Sequence, residues 1–179
     1  MSGRLRGGIH LGGGAVPLVS GARTASDFRI RDMNVADLPQ VVAIEREWAA
    51  TPWTWTTFEN ELRVPFSRSI VAHRTATPAT VAGYLVRWHV VDEMHLLDLA
   101  VAVAERGAGL GRLLMRSLLE EAREARVRLV TLEVEDANAA ARALYAELGF
   151  IEKRRRRGYY GESRDAIVME WSDGCRDVS

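Results

Sequence analysis

Residues 97–150 set the tightest limits on how this chain can fold. They hold an apolar run, a glycine-dense turn, a long amphipathic segment, an alternating segment and a short helical one. Leu110, Leu113, Leu114, Leu118, Ala122 and Ala125 recur at helical intervals and share one face of a helix expected over 109–126. Over 129–135 the pattern changes to strict alternation, with Val130, Leu132 and Val134 facing one way and Leu129, Thr131, Glu133 and Glu135 the other, as in a half-buried strand. Asn138 offers a cap for a helix over 139–148, and Gly149 its left-handed stop. Strand, helix, strand and helix in succession imply a locally parallel pair of strands.

The preceding residues follow another rhythm. Phe28-Arg29-Ile30-Arg31 alternates as a strand, and Asn34, Asp37 and Pro39 introduce a helix carrying Leu38, Val41, Val42, Ile44, Glu45 and Trp48 at mostly helical spacing. That helix should give out before Pro52, because the residue ahead of a proline is pushed out of the α region. A second helix is expected with Thr56 and Glu59 as its capping box and Phe58 and Leu62 on its buried face. Short strands over 69–73, 81–90 and 94–103, with a turn over 75–80, form an antiparallel meander. A closing hairpin pairs 150–157 with 166–171 around Gly158-Tyr159-Tyr160-Gly161. The expected fold is therefore α+β: a mixed sheet of about seven strands, antiparallel at first, flanked by four helices.

At 179 residues there is room for one domain with a full core, expected over 28–172. Residues 1–27 are glycine-rich with no acid before Asp27, and read as a disordered extension or, less readily, an organelle transit peptide; residues 173–179 read as a tail. Basic and acidic residues balance at 24 each, so no overall field recruits nucleic acid or an anionic membrane. The one cysteine, Cys175, fits a reducing compartment such as the cytoplasm and disfavours a cysteine acyl-enzyme. No apolar run approaches the roughly 18 residues that span a bilayer. His89 and His95 have no metal-ligand companions at useful spacing, so both read as structural and no metal is expected.

The glycine turn Arg106-Gly107-Ala108-Gly109-Leu110-Gly111-Arg112 has a physical use. Glycines let the backbone approach a ligand closely, and the helix that follows presents unsatisfied N–H groups at its positive end. A pyrophosphate fits there, with Arg106 and Arg112 adding charge on either side. A P-loop would need a Gly-Lys-Ser/Thr ending, and the spacing differs from the dinucleotide fingerprint.

This turn after a strand, then Asn138, then Ala143-Leu144-Tyr145-Ala146-Glu147-Leu148-Gly149-Phe150, resembles the GCN5-related N-acetyltransferases across nearly all of 28–171. One departure is Val103, where members often carry proline. Within the family, Thr51-Pro52-Trp53, Leu132-Glu133-Val134 with Asn138-Ala139-Ala140-Ala141, and Arg156-Arg157-Gly158-Tyr159-Tyr160 resemble most the bacterial branch that acetylates the N-terminal alanine of ribosomal protein S18. The resemblance implies acetyl-CoA as co-substrate, a protein N-terminal peptide as partner, and a monomeric, cytoplasmic enzyme. It assigns cofactor contacts to Gly107, Ala108, Gly109, Leu110 and Gly111 with Arg106 and Arg112, to Asn138, and to backbone amides of Leu99, Ala100 and Val101.

Acetyl transfer to an amine needs a base for the amine, a grip on the carbonyl oxygen and a proton for the departing thiolate. Glu133, mid-strand between Leu132 and Val134, is either an exposed glutamate on a polar strand face or the base, and the resemblance favours the base, acting directly or through a water. Partial desolvation raises a carboxylate's pKa towards a useful value. Tyr145 is either a core tyrosine or the acid, and the resemblance favours the acid. Tyr159 and Tyr160 would fold over the peptide end opposite Pro52 and Trp53 and narrow the slot against internal lysines; as plain residues they also read as hairpin aromatics. Trp53 and Trp55 read as core, or one of them as groove lining. Arg154 to Arg157 read as a solvated strand face. A small amine as acceptor, or a non-catalytic acyl-CoA-binding module, are the competing readings.

Overall fold

The apolar positions of the chain divide between two faces of one sheet, and the helices follow that division. The computed structural model describes residues 24–161 and 164–173. Of the extension and the tail expected at the termini, residues 24–27 and 173 are described, and the rest, Cys175 included, lies outside the described residues. The strands are β1 (Phe28–Asp32), β2 (Ser67–Arg74), β3 (Thr77–Val90), β4 (Glu93–Val101), β5 (Leu129–Glu135), β6 (Ile151–Gly161) and β7 (Arg164–Trp171). The helices are α1 (Leu38–Arg46), α2 (Trp55–Glu61), α3 (Leu110–Glu124) and α4 (Ala139–Glu147). One seven-stranded sheet has the order β1-β2-β3-β4-β5-β7-β6. All neighbours are antiparallel except β4 and β5. This is the mixed architecture expected from the change of rhythm near residue 100.

On one face, Leu110, Leu114, Leu118 and Ala122 of α3, with Ala141 and Tyr145 of α4, pack on Leu96, Leu99, Leu132 and Val134. On the other, Leu38, Val41, Val42 and Ile44 of α1 and Phe58 of α2 pack on Val71, Tyr84, Val86 and Leu97. Fully burying each such aliphatic side chain contributes about 1.5–3 kcal/mol against leaving it in water. The buried face of α3 is displaced from the expected stripe: Gly111, Met115 and Leu119 join it, Leu113 is half-buried, and Ala125 is exposed past the last turn.

Three local expectations are corrected. The capping box of α2 is Thr54 and Thr57, not Thr56 and Glu59: Thr54 is extended and its hydroxyl accepts from the Thr57 amide at 3.2 Å, so the helix starts at Trp55. The turn expected over 75–80 is shorter, because β3 begins at Thr77 opposite Arg74. The next matched pair is Val81 with His73, so Pro78 falls in a bulged stretch that needs no donor from it. The hairpin strands likewise run further, and Tyr159 and Tyr160 belong to β6 rather than to a turn.

Candidate active site

The parallel pair that the sequence implies is short, and its shortness opens the site. β4 and β5 are matched from Glu93–Leu129 to Leu96–Leu132 and then part, while β5 continues to pair with β7 through Glu135. Past this splay, the backbone of Leu99, Ala100 and Val101 has no β5 partner, though it remains paired to β3.

The glycine turn lies at the end of β4. Gly107 and Gly109 have φ of 73° and 78°, a region where other L-residues are strained, and Gly109 is the N-cap of α3. A Cβ at Gly107 would meet no atom within 4 Å, so the space over the turn is open. A cavity of about 260 Å³ lies here, lined by Val101 at the end of β4, by Glu105, Arg106, Gly107, Gly109, Leu110, Gly111 and Arg112, and by Ala140 and Leu144 of α4; the Glu105 carboxylate is paired with Arg74. The cavity is below the roughly 300–1,000 Å³ of a pocket that encloses a whole drug-sized ligand, so it suits one end of a longer one. Arg112 pairs with Glu147 across α3 and α4 and leaves its Nε buried without a partner among the described residues. Arg106 is turned over the Trp48 ring and towards the Val101 carbonyl oxygen, at 3.3 Å from Nη2. Burial there brings its pKa down to about 10, still cationic at neutral pH. An unpartnered guanidinium N–H, two glycines of positive φ and a helix N-terminus make a donor set that fits a pyrophosphate. Ala108 is buried beneath the turn, and Asn138 caps α4 by accepting from the Ala141 amide at 3.1 Å without lining the cavity.

A second cavity, of about 250 Å³, lies on the opposite face of the sheet. Glu133 lines it with His95, Leu97, Thr131, Arg154, Arg156 and Val168. Its carboxylate is mostly buried and ion-paired to Arg156, whose guanidinium also covers the Tyr159 ring at 4.2 Å. Alternation along β6 therefore sends Arg154 and Arg156 to the cavity, while Arg155 reaches Asp136 and Asp165. Arg154 to Arg157 are all exposed, as expected of a solvated strand face, but that reading did not anticipate the division between them, nor the place of His95 at the cavity.

Tyr145 lines neither cavity. It is fully buried beside Phe150, with ring centroids 5.8 Å apart, and its hydroxyl has no hydrogen-bond partner among the described residues. Burial first, then the nearby Asp98 carboxyl and Tyr160 phenol, push its pKa well above 10, so it stays protonated. The Tyr160 hydroxyl lies 3.4 Å from the Glu133 carbonyl oxygen, with burial followed by the Glu133 charge raising its own pKa, and the Tyr159 and Tyr160 rings meet edge to face at 5.0 Å. Pro52 and Trp53 line neither cavity. Trp53 packs on Phe58 at 5.3 Å and its amide donates to Glu45 at 3.0 Å, whereas Trp55 opens α2 and is exposed.

As a cluster, three buried polar residues escaped the sequence reading: Glu45, Tyr84 and Asp98, joined through the Tyr84 hydroxyl. Asp98 left a signal, a lone carboxylate inside Leu96-Leu97-Asp98-Leu99-Ala100-Val101. Among the described residues no group of three or more His, Cys, Asp or Glu side chains is placed to hold a metal, and no helix is long and apolar enough to cross a membrane.

Comparison with known proteins gives this geometry a lineage. The chain is 34% identical over 143 residues to the ribosomal protein bS18-alanine N-acetyltransferase of Escherichia coli (strain K12), a match covering 78% of this chain and 94% of that one. It is 36% identical over 140 residues to the enzyme of the same name from Salmonella typhimurium, covering 76% and 92%. The crystal structure of the ribosomal-protein-S18-alanine N-acetyltransferase from Escherichia coli superposes with a TM-score of 0.75 at 31% identity, over 85% of this chain and 99% of that one. The model of the acetyltransferase (GNAT) family matches residues 29–150, from β1 through the glycine turn and α4 to Phe150, and the chain is an acetyl-transferring enzyme of that family.

Proposed function

We propose that this enzyme transfers the acetyl group of acetyl-CoA to the α-amine of a protein N-terminus, by direct transfer within a ternary complex. The N-terminal alanine of ribosomal protein S18 is the acceptor to which the names of its relatives point. The observation that carries the reading is the pair of cavities on opposite faces of the sheet, with the splay of β4 and β5 between them. One admits an anionic, elongated ligand from the α3 side, and the other presents the Glu133 carboxylate with His95, Arg154 and Arg156 to a polar ligand from the far side, Tyr159 lying under Arg156 and Tyr160 beside the Glu133 carbonyl.

Acetyl-CoA, with its pyrophosphate over the N-terminus of α3, would supply an activated thioester carbonyl at the splay. Arg112 and Arg106 hold the phosphates, exchanging Glu147 and the Val101 carbonyl for them. The amides of Leu99, Ala100 and Val101 steady the carbonyl oxygen, and Asn138 fixes the start of α4 near the cofactor. Glu133 takes a proton from the acceptor amine. Tyr145 gives its proton to the sulfur as charge develops there; a phenol is ordinarily a weaker acid than a thiol and burial weakens this one further, so the transfer runs uphill and keeps step with bond breaking. Tyr159 and Tyr160 flank the peptide end opposite the Pro52–Trp53 loop. Both cavities are built within one chain, which supports a monomer, the single cysteine fits the cytoplasm, and nothing in the mechanism calls on nucleic acid or a membrane.

The acceptor class is tested by steady-state kinetics with acetyl-CoA and either a peptide beginning with the S18 N-terminal alanine or small amines such as a polyamine or free alanine. The expected kcat/KM is at least about 100-fold higher for the peptide, the scale a site built around specific polar contacts achieves. Intersecting double-reciprocal plots accompany direct transfer. A small amine used as well as the peptide would overturn the acceptor assignment, and parallel plots would overturn direct transfer.

A further inference from the structure

The strand β4 is irregular just before the splay. Arg87 of β3 lies opposite Leu96 but Val86 lies opposite Asp98, so Leu97 is the extra residue of a bulge. Beyond it Asp98 reaches Tyr84, on the α1 face of the sheet, at the level where β5 has parted from β4. Asp98 is 0% exposed, Tyr84 0% and Glu45 2%. The Tyr84 hydroxyl lies 2.7 Å from Glu45 Oε2 and 2.9 Å from Asp98 Oδ2.

These distances impose a proton count. Two hydrogen bonds join three groups, but Tyr84 has one phenolic hydrogen, so the second must come from a carboxyl. The trio therefore holds at least one carboxylic acid, and with the other carboxyl ionised it carries one negative charge. Burial raises the Glu45 pKa too, but less completely than that of Asp98, and the Trp53 amide, donating to Oε1 at 3.0 Å, works the other way with Tyr84. Asp98 Oδ1 has no hydrogen-bond partner among the described residues. In the resting enzyme the acid is Asp98, donating to Tyr84, which donates to Glu45. Burial, then the Glu45 charge, holds the Asp98 carboxyl well above the usual carboxylate range, although the adjacent Leu99 amide and Tyr84 work the other way. The titratable groups facing Asp98 are Glu45 from α1, Tyr84 from β3, Tyr145 from α4 and Tyr160 from β6. None is cationic.

We propose that Glu45, Tyr84 and Asp98 form a buried relay that delivers one negative charge to the splay when the acceptor's ammonium group enters it. Asp98 passes its proton to the Tyr84 oxygen while Tyr84 passes its own to Glu45 Oε2, so no proton is gained or lost. The charge then lies on Asp98, amid the phenols of Tyr145 and Tyr160, where it holds a cation through space. Once the amine has become an uncharged amide, the cation is gone and the charge returns to Glu45, which releases the product. Asp98 is thus a positioning residue that favours a cationic amine over an uncharged group of the same shape. The relay also ends on the amide of Trp53, in the loop expected to border the acceptor.

This inference rests on the N-terminal amine being the acceptor, and the test separates the two. Wild type and Asp98→Asn are compared on the alanine-terminated peptide and on its analogue with a hydroxyl in place of the α-amine, used as a competitive inhibitor. For Asp98→Asn, the peptide KM is expected to rise about tenfold, with a smaller fall in kcat and with the analogue's Ki within about twofold of wild type. Tyr84→Phe, which cuts the relay without changing shape, should show the same split and serves alone if the first variant is insoluble. A peptide KM within twofold of wild type, or equal shifts for peptide and analogue, would overturn the relay. No turnover of the peptide by wild type would instead overturn the acceptor assignment.

Discussion

Replacing Tyr145 by phenylalanine is expected to lower acetyl transfer by about 100- to 10,000-fold, the range contributed by a positioned general acid, and to leave the protein as stable as before or slightly more so. The second half is unusual for a fully buried side chain in the main core. It follows because the hydroxyl has no hydrogen-bond partner among the described residues, while the ring carries the packing against Phe150. A buried hydroxyl left unpaired costs roughly 1–3 kcal/mol, so its removal offsets that cost and opens little space. Activity and thermal midpoint measured on the same preparations check both halves. A fall in midpoint matching the fall in turnover would make Tyr145 a structural residue, and full turnover would remove it from the chemistry.

Glu133→Gln should lower kcat by about 100-fold or more at neutral pH, and the shape of the loss carries more information than its size. An N-terminal α-amine has a pKa near 7.7–8.0, so below that range most of it is protonated and cannot attack. Without the glutamate as base, only the fraction already neutral in solution reacts. The variant's kcat/KM for the peptide should therefore rise about tenfold per pH unit between roughly pH 6 and 7.5 and level off above 8. Wild type should be clearly less steep over that range. Glutamine also deprives Arg156 of its charge partner. Arg156→Ala tests that side effect: if the loss comes from a misplaced arginine rather than a missing base, the double variant regains activity, and that result would retire Glu133 as base. These rates are read with acetyl-CoA saturating.

The fold was legible where periodicity was long or strict. The α3 helix, the β5 alternation and the cap and stop of α4 all depend on local pattern alone. The errors sit where a local signal had two adequate solutions. Thr54 and Thr56 are equally good caps on local pattern, and the cap formed is Thr54, directly after a Trp53 amide held by Glu45 of α1. Pro78 reads as a turn residue until the bulge between β2 and β3 gives it a place without a donor. The site divides in the same manner. Glycines with positive φ announce themselves in sequence, and so does a glutamate in a strand. The buried trio does not, because Glu45, Tyr84 and Asp98 are spread over 54 positions and meet only when α1 covers β3 and a bulge redirects β4. The partners of Arg106 and Arg112 were hidden for the same reason, since Trp48 and Glu147 are far from the turn in sequence.

The most direct measurement is to locate the transferred group. Incubation with acetyl-CoA carrying an isotopic label in the acetyl moiety, and with a peptide that has the S18 N-terminal alanine and an internal lysine, is followed by fragmentation mass spectrometry and thiol titration. The expected product carries one label on the α-nitrogen of residue 1, none on the lysine, and one free CoA thiol appears per label. Label on the lysine, or thiol release without label on the peptide, would contradict acetyl transfer to a protein N-terminus.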